Sequence, residues 1–179
     1  MKKFFLSKST KEQLIKLLGN VKDKTVLLYG CSVIVFDIAE AVGSRGMIYI
    51  TEDSLNAAKF VSSKLKKKGI TNFKIIHHIH HSRYLLPALP DVDAVLSIGL
   101  LGEMQEKVLS DMNERLGVKD HVIFLEFNRK IGSNIAWISD DAKIERIFRE
   151  KGFNVAILRT KGFLRENVFI YGVKYKNLK

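Results

Sequence analysis

The chain has 179 residues, of which 46% are hydrophobic and 27% charged, and its formal net charge is +11 at pH 7. A chain of this length builds one core, and a content of only 2 prolines is unlike a disordered tract. The single Cys31 excludes an internal disulfide, and no apolar run reaches the roughly 18 residues that span a bilayer. We therefore predict a cytoplasmic, single-domain protein over residues 1–179, with residues 1–22 as an N-terminal helical extension and no membrane contact.

The excess of Lys and Arg, 30 against 19 Asp and Glu, has two interpretations. A strongly basic surface favours a polyanionic partner such as RNA. Alternatively, the lysines only solvate the surface. The densest run, residues 64–68, falls at the end of a predicted helix, where the helix dipole favours cations. The sequence leaves both interpretations open.

The first predicted element is a short amphipathic helix that begins at Ser9 or Thr10 and continues through Leu18. From residue 25 onwards, strand-like apolar runs alternate with helix-like segments, which is typical of a parallel sheet with crossover helices. The strand-like runs are Thr25–Tyr29, Met47–Ile50, Phe73–Ile76, Ala94–Ile98 and His121–Glu126.

Two of the intervening helices have recognisable start and stop signals. Ser54 is expected to cap a helix that ends at about Lys68, and Ser139 to cap another that ends before Gly152. The predicted buried face of the first helix consists of Leu55, Ala58, Val61 and Leu65. The predicted buried face of the second consists of Ile144, Ile147 and Phe148.

The last two strand-like runs are Phe153–Leu158 and Asn167–Tyr175. The 8 residues between them, Arg159–Glu166, are too few for a crossover helix, so the two runs are predicted to pair as a hairpin. The predicted fold class is therefore α/β, with a doubly wound, mostly parallel sheet, helices on both faces and an antiparallel last strand.

This arrangement resembles the class I S-adenosylmethionine-dependent methyltransferases. Residues 26–31, Val-Leu-Leu-Tyr-Gly-Cys, resemble the first strand and glycine turn of that family. Residues 46–52 resemble its second strand, with an acid at the carboxyl end, and residues 91–97 its fourth strand. The resemblance covers nearly the whole chain, and it implies seven strands in the order 3-2-1-4-5-7-6 and S-adenosylmethionine as the cofactor.

The resemblance also implies which residues surround the cofactor. Glu52, with Asp53 as its backup, would accept hydrogen bonds from the ribose hydroxyls. The other implied contacts are Gly30, Cys31 and Ser32 in the glycine turn, His78 and Ile79 after the third strand, and Ser97 in the fourth strand. No catalytic residue is assigned, because methyl transfer from a sulfonium mainly requires alignment of the acceptor and exclusion of water.

Four positions depart from the family's pattern. Leu28 and Ile79 stand where the family has acids, and Ser32 and Ile34 stand where it has glycines. A β-branched residue does not supply the open backbone of glycine, and Ile34 is expected to occupy space that the methionine moiety needs. We therefore expect weak cofactor binding, in the upper micromolar range, or about −5 to −6 kcal/mol.

Four histidines stand at positions 77, 78, 80 and 81, and imidazole is a common metal ligand. Along a strand these side chains alternate between faces, so at most two converge, whereas a structural zinc site needs four ligands. We expect no metal. Because the histidines follow a strand at its carboxyl end, they would instead line the pocket, with one acting as a base or as a contact to a polyanion.

The favoured function is a small S-adenosylmethionine-dependent methyltransferase that acts on RNA or on a small molecule. The alternative is a non-catalytic protein of the same fold that has lost the cofactor and binds nucleic acid or protein through its basic surface. A third interpretation is a structural subunit of a larger methyltransferase assembly. The sequence carries no signal for the methyl acceptor or for the oligomeric state.

Overall fold

A computed structural model of the chain describes residues 6–29, 34–52, 54–77, 90–99, 109–129, 139–161 and 165–177. The helices in these ranges are α1 (Lys8–Leu18), α2 (Val35–Val42), α3 (Leu55–Lys67), α4 (residues 109–115) and α5 (Asp141–Glu150). The strands are β1 (Thr25–Tyr29), β2 (Met47–Glu52), β3 (Phe73–His77), β4 (Val92–Ile98), β5 (Leu116–Arg129), β6 (Phe153–Lys161) and β7 (Arg165–Lys174).

The seven strands form one sheet in the order β3-β2-β1-β4-β5-β7-β6. Neighbouring strands from β3 to β5 pair in parallel, whereas β7 runs antiparallel to both β5 and β6. The predicted strand order, the terminal hairpin and the antiparallel last strand are confirmed. The chain order reverses between β1 and β4, and such a reversal opens a crevice at the carboxyl ends of the strands.

Apolar residues on the two faces of the sheet form two cores. One face packs against α1, α2 and α3, and we call it the α3 face. The other packs against α4 and α5, and we call it the α4 face. Because side chains alternate along a strand, the neighbours Leu28 and Tyr29 of β1 belong to different cores.

The third helix begins as predicted, and Val61 and Leu65 of its expected inner face are buried, but Leu55 is not. The hydroxyl of Ser54 accepts the backbone N–H of Ala57 and so caps α3. Leu55, which we expected inside, is 57% exposed. The buried residues of α3 are Ala57, Val61 and Leu65. They recur every four residues and form one stripe, and Leu55 lies on the opposite side of the helix from it.

Two other helices are capped one or more residues away from the expected position. Ser7, rather than Ser9 or Thr10, accepts the Thr10 backbone N–H and caps α1. Asp140, rather than Ser139, accepts the backbone N–H of Lys143 and caps α5. Several capping residue types stand next to each other at these starts, and the chain uses the one whose side chain reaches the third residue of the helix.

The strands of the hairpin are longer than the sequence pattern indicated. Pairing of β6 with β7 continues to Lys161 and Glu166, so most of the predicted connection from Arg159 to Glu166 is strand. Among the described residues, no helix is both long and apolar enough to cross a membrane.

Candidate cofactor site

The candidate site lies at the carboxyl ends of β1, β2 and β4, where the strand order reverses. Tyr29 is the last residue of β1, and it pairs with Thr51 of β2 on one side and with Ser97 of β4 on the other. In open α/β sheets, ligands bind in the crevice outside the strand ends at this kind of reversal. The residues at this edge are therefore the candidates for ligand contacts.

Glu52 is the last residue of β2 and stands opposite His77, the last residue of β3. It is only 5% exposed, and its Oε1 accepts the backbone N–H of Ser54 at 3.5 Å. Since Ser54 also caps α3, the end of β2 and the start of α3 together hold the carboxylate at the edge of the sheet. A carboxylate in this position has the lone pairs to accept hydrogen bonds from two adjacent hydroxyls.

Three hydroxyl side chains lie in a row across the α4 face at one level of the sheet. They belong to Thr51, Tyr29 and Ser97, which are neighbours in the strand register and are all buried. Within the described part of the chain, Ser97 Oγ has no hydrogen-bond partner. Leaving a buried hydroxyl unpaired costs free energy, so Ser97 is a suitable partner for a polar ligand atom.

A buried ion pair from α4 belongs to the same core as this row. Arg115 donates from Nε and Nη2 to Asp111 Oδ1 at 3.1 and 3.0 Å. Burial and, as the smaller cause, the nearby negative charge of Asp111 together raise the pKa of Tyr29 to about 12. The Tyr29 phenol is therefore neutral at physiological pH and keeps its O–H as a donor. The sequence analysis missed this cluster, although the spacing of Asp111 and Arg115 is that of a helical ion pair.

Comparison with solved structures decides which fold this is. A precorrin-6y C5,15-methyltransferase from Geobacter metallireducens superposes with a TM-score of 0.74 and 18% identity, over 97% of this chain and 93% of that one. A SAM-dependent methyltransferase from Aquifex aeolicus gives a TM-score of 0.68 and 18% identity, over 91% and 89%. A magnesium protoporphyrin IX methyltransferase from Synechocystis with bound SAM gives a TM-score of 0.71 and 16% identity, over 93% and 78%. This chain has the class I methyltransferase fold.

Neither a known family profile nor a curated protein sequence matches the chain. With identities of 16 to 18%, the structural similarity establishes the methyltransferase fold. An activity has to be argued from the chemistry of the site, because one fold supports many functions.

Two of the residues predicted to contact the cofactor are described. Glu52 and Ser97 both lie at the carboxyl edge expected for a methyltransferase fold, with β1 between them. Glu52 belongs to the α3 face and Ser97 to the α4 face, because each follows the side-chain alternation of its strand. The other predicted contacts lie outside the described residues; they are Gly30, Cys31, Ser32, Asp53, His78 and Ile79.

The structure also places two of the four positions that depart from the methyltransferase pattern. Leu28, which replaces an acid, is fully buried in the α3-face core. Ile34 stands at the N-cap of α2, and its side chain is fully buried in the same core. A side chain that fills a cofactor space and one that packs in the core are both buried, so the expectation about the methionine moiety stays a prediction. Ser32 and Ile79 lie outside the described residues.

The described residues contain no group of three or more His, Cys, Asp or Glu side chains that is placed to hold a metal ion. Of the histidines at positions 77 to 81, the structure describes His77, which is exposed at the end of β3. His121 lies far from them along the chain, on β5, with its ring 5.5 Å from that of Tyr171.

Proposed function

We propose that this chain binds S-adenosylmethionine at the carboxyl edge of its sheet and transfers the methyl group to an acceptor. The observation that carries the proposal is the position of Glu52. A nearly buried carboxylate ends β2 one strand away from the reversal of the strand order, on a fold shared with methyltransferases. In such sheets an acid at this place binds ribose hydroxyls.

The side chains at this edge fit the polar groups of the cofactor. Glu52 would accept hydrogen bonds from the ribose hydroxyls. Two strands away, Ser97 Oγ has no hydrogen-bond partner among the described residues. When bound, S-adenosylmethionine supplies a methyl group on a sulfonium sulfur, which is already a good leaving group. The task of the chain is then to align the acceptor with that group and to exclude water.

The core position of Leu28 supports a weak rather than a tight interaction. A fully buried leucine offers no hydrogen bond to the cofactor at the end of β1, where the family has an acid. We therefore propose a dissociation constant in the upper micromolar range, equivalent to about −5 to −6 kcal/mol.

Isothermal titration calorimetry of the full chain with S-adenosylmethionine, and with S-adenosylhomocysteine in parallel, tests the binding step. We expect saturable heat with both ligands. The absence of binding with millimolar ligand would contradict the proposal. Transfer of a labelled methyl group to RNA, compared with transfer to small-molecule acceptors, then tests the reaction and separates the two proposed acceptor classes.

A non-catalytic binding protein is the second candidate, and the net charge of +11 favours it. If the chain binds a polyanion but neither S-adenosylmethionine nor its demethylated product, this candidate replaces the methyltransferase. In both cases we propose a cytoplasmic protein, because the chain has one cysteine and no pair for a disulfide.

A further inference from the structure

The positive charge of the chain is concentrated in one stretch, and none of its lysines or arginines belongs to the candidate cofactor site. Residues 54–90 contain 6 lysines and 1 arginine and no Asp or Glu, whereas the whole chain has a net charge of +11. These residues follow Glu52 and include α3 and β3. One fifth of the sequence therefore supplies more than half of the net charge.

Helix stability explains only part of this charge. Lys64, Lys66 and Lys67 occupy the last turn of α3, where the helix dipole favours cations. Lys59 lies in the second turn, where the dipole gives no such advantage. Within the described residues, no lysine of α3 takes part in an ion pair. Among the described residues, the charge of the α3 lysines is therefore not neutralised by carboxylates.

Part of this charge lines an open groove of about 580 Å³ between α3 and the edge strand β3. The polar groups of the groove are Lys59, Ser62, Ser63, Lys66 and His77. Lys59 and Lys66 are seven residues apart, or about 10 Å along the helix axis, so their ammonium groups reach separate anionic groups of a ligand. The serine hydroxyls between them add hydrogen-bond donors of the kind that contact phosphate oxygens.

An exposed aromatic ring lies on the same helix, outside the residues that line the groove. Phe60 follows Lys59 and is 61% exposed, and Lys64 Nζ lies 5.6 Å from the centroid of its ring. Leu55 is exposed on the same helix. Cations next to an exposed aromatic ring are the combination with which proteins bind unpaired bases, because the ring stacks on a base while the cations contact the backbone.

We propose that this surface, formed by Lys59, Phe60, Ser62, Ser63, Lys64 and Lys66, binds single-stranded nucleic acid. The lysines contact phosphates and Phe60 stacks on a base. The unpaired charge favours a polyanion, and the exposed ring favours a strand whose bases are not already stacked in a duplex. The inference does not rest on methyl transfer, since none of these residues belongs to the candidate cofactor site.

The test is fluorescence anisotropy with labelled oligouridylate and oligodeoxythymidylate of about 12 nucleotides, within the range of known single-strand sites. We expect binding at about 50 mM salt that weakens as salt is raised. The RNA and DNA strands carry equivalent phosphates and unpaired pyrimidines, and they differ mainly in the sugar 2′-hydroxyl. The ratio of the two affinities therefore shows whether the surface prefers RNA or DNA.

Two kinds of variant separate the two kinds of contact. Lys59→Gln combined with Lys66→Gln should lower affinity at least tenfold and reduce the salt slope by about 1.4, because two phosphate contacts are lost. Phe60→Ala should lower affinity about five- to a hundredfold, the effect of losing one stacked base, with an unchanged salt slope.

Each variant has a matched control elsewhere on the chain. Lys16→Gln with Lys22→Gln removes the same charge from exposed positions outside the surface. Tyr175→Ala removes a second exposed ring that has a lysine over it, since Lys176 Nζ is 5.4 Å from its centroid. All the substituted side chains are exposed, and thermal melting confirms folding.

Three outcomes would overturn the inference. The first is no binding to either oligonucleotide at low salt. The second is an equal loss of affinity in the control variants, which would mean that the net charge alone matters. The third is binding to vesicles that contain an anionic phospholipid without binding to the oligonucleotides. Because S-adenosylmethionine binding is measured separately, failure here and failure of the proposed function are distinguishable.

Discussion

Glu52 and His77 stand directly opposite each other in the parallel register of β2 and β3, each as the last residue of its strand. The candidate cofactor site and the groove beside α3 are therefore adjacent at this edge of the sheet. Glu52 belongs to the candidate cofactor site at the crevice, whereas His77 lines the groove beside α3. The two sites thus begin at neighbouring strand ends.

Replacing Glu52 by Gln tests the cofactor site, because the change removes the charge and keeps the size of the side chain. We expect S-adenosylmethionine to bind about ten- to a hundredfold more weakly, as for the loss of about 1.5–3 kcal/mol from hydrogen bonds to a charged group. Isothermal titration calorimetry measures the dissociation constant. Glu40→Gln, which makes the same change on the exposed side of α2, is the control. Equal affinities for Glu52→Gln and the unmodified chain would exclude Glu52 from the site.

Tyr29 should make the fold sensitive to alkali. Its pKa is raised to about 12 in the folded chain, against about 10 in an unfolded one. Between these values the unfolded chain has lost the phenolic proton and the folded chain still holds it, so stability falls as pH rises. The loss approaches about 2–3 kcal/mol at the upper end of this range.

Urea unfolding at a series of alkaline pH values measures this loss. Tyr29→Phe should remove that part of the pH dependence, whereas Tyr175→Phe, at an exposed position, should leave it unchanged. The same alkaline slope in Tyr29→Phe and the unmodified chain would show that other groups cause the loss.

His121 should have the opposite dependence on pH. Burial lowers its pKa, although the backbone carbonyl of Leu18 and the charge of Asp120 act in the other direction. The unfolded chain therefore binds the imidazole proton more readily, and stability falls as pH drops below about 6.5. Unfolding curves should show a smaller acid-side loss for His121→Gln than for His77→Gln, whose histidine is exposed.

Two glycines with positive φ offer a matched comparison of backbone strain and steric contact. Gly69 has φ +73° with open space around it, whereas a Cβ on Gly152, at φ +82°, would lie 2.6 Å from Asn113 Nδ2 and 2.8 Å from the Lys176 carbonyl oxygen. Asn113 Nδ2 donates to the carbonyls of Lys151 and Lys176, each at 3.0 Å.

Alanine at Gly69 should cost about 1–2 kcal/mol, the price of the left-handed conformation alone. Alanine at Gly152 should cost about 3–4 kcal/mol, because it also displaces the two Asn113 hydrogen bonds. Denaturant unfolding of both variants measures the difference. Equal costs would mean that Asn113 moves aside without losing its hydrogen bonds.

Local patterns in the sequence were sufficient for the strands and for three of the five helices in the described residues. The bounds of β1, the Ser54 cap and the inner face of α5 follow from apolar periodicity and capping, which depend on residues a few positions apart. Glu52 was predicted from the family resemblance, because the family has an acid at the carboxyl end of the second strand, and Glu52 is the last residue of β2. The strand order followed from the family resemblance, which carries long-range information that local patterns do not.

Only the tertiary structure decided where particular side chains face. The sequence pattern led us to expect Leu55 in the core, yet Leu55 is exposed on α3. The full burial of Ile34 in the α3-face core was likewise visible only in the structure. The burial of Tyr29 near Asp111, and the groove between α3 and β3, bring together segments that are distant along the chain or belong to different elements. Such contacts depend on how each helix is rotated against the sheet, because the rotation that buries the most apolar area is the most stable. The packing of the whole core determines this rotation, whereas the spacing of residues within one segment does not.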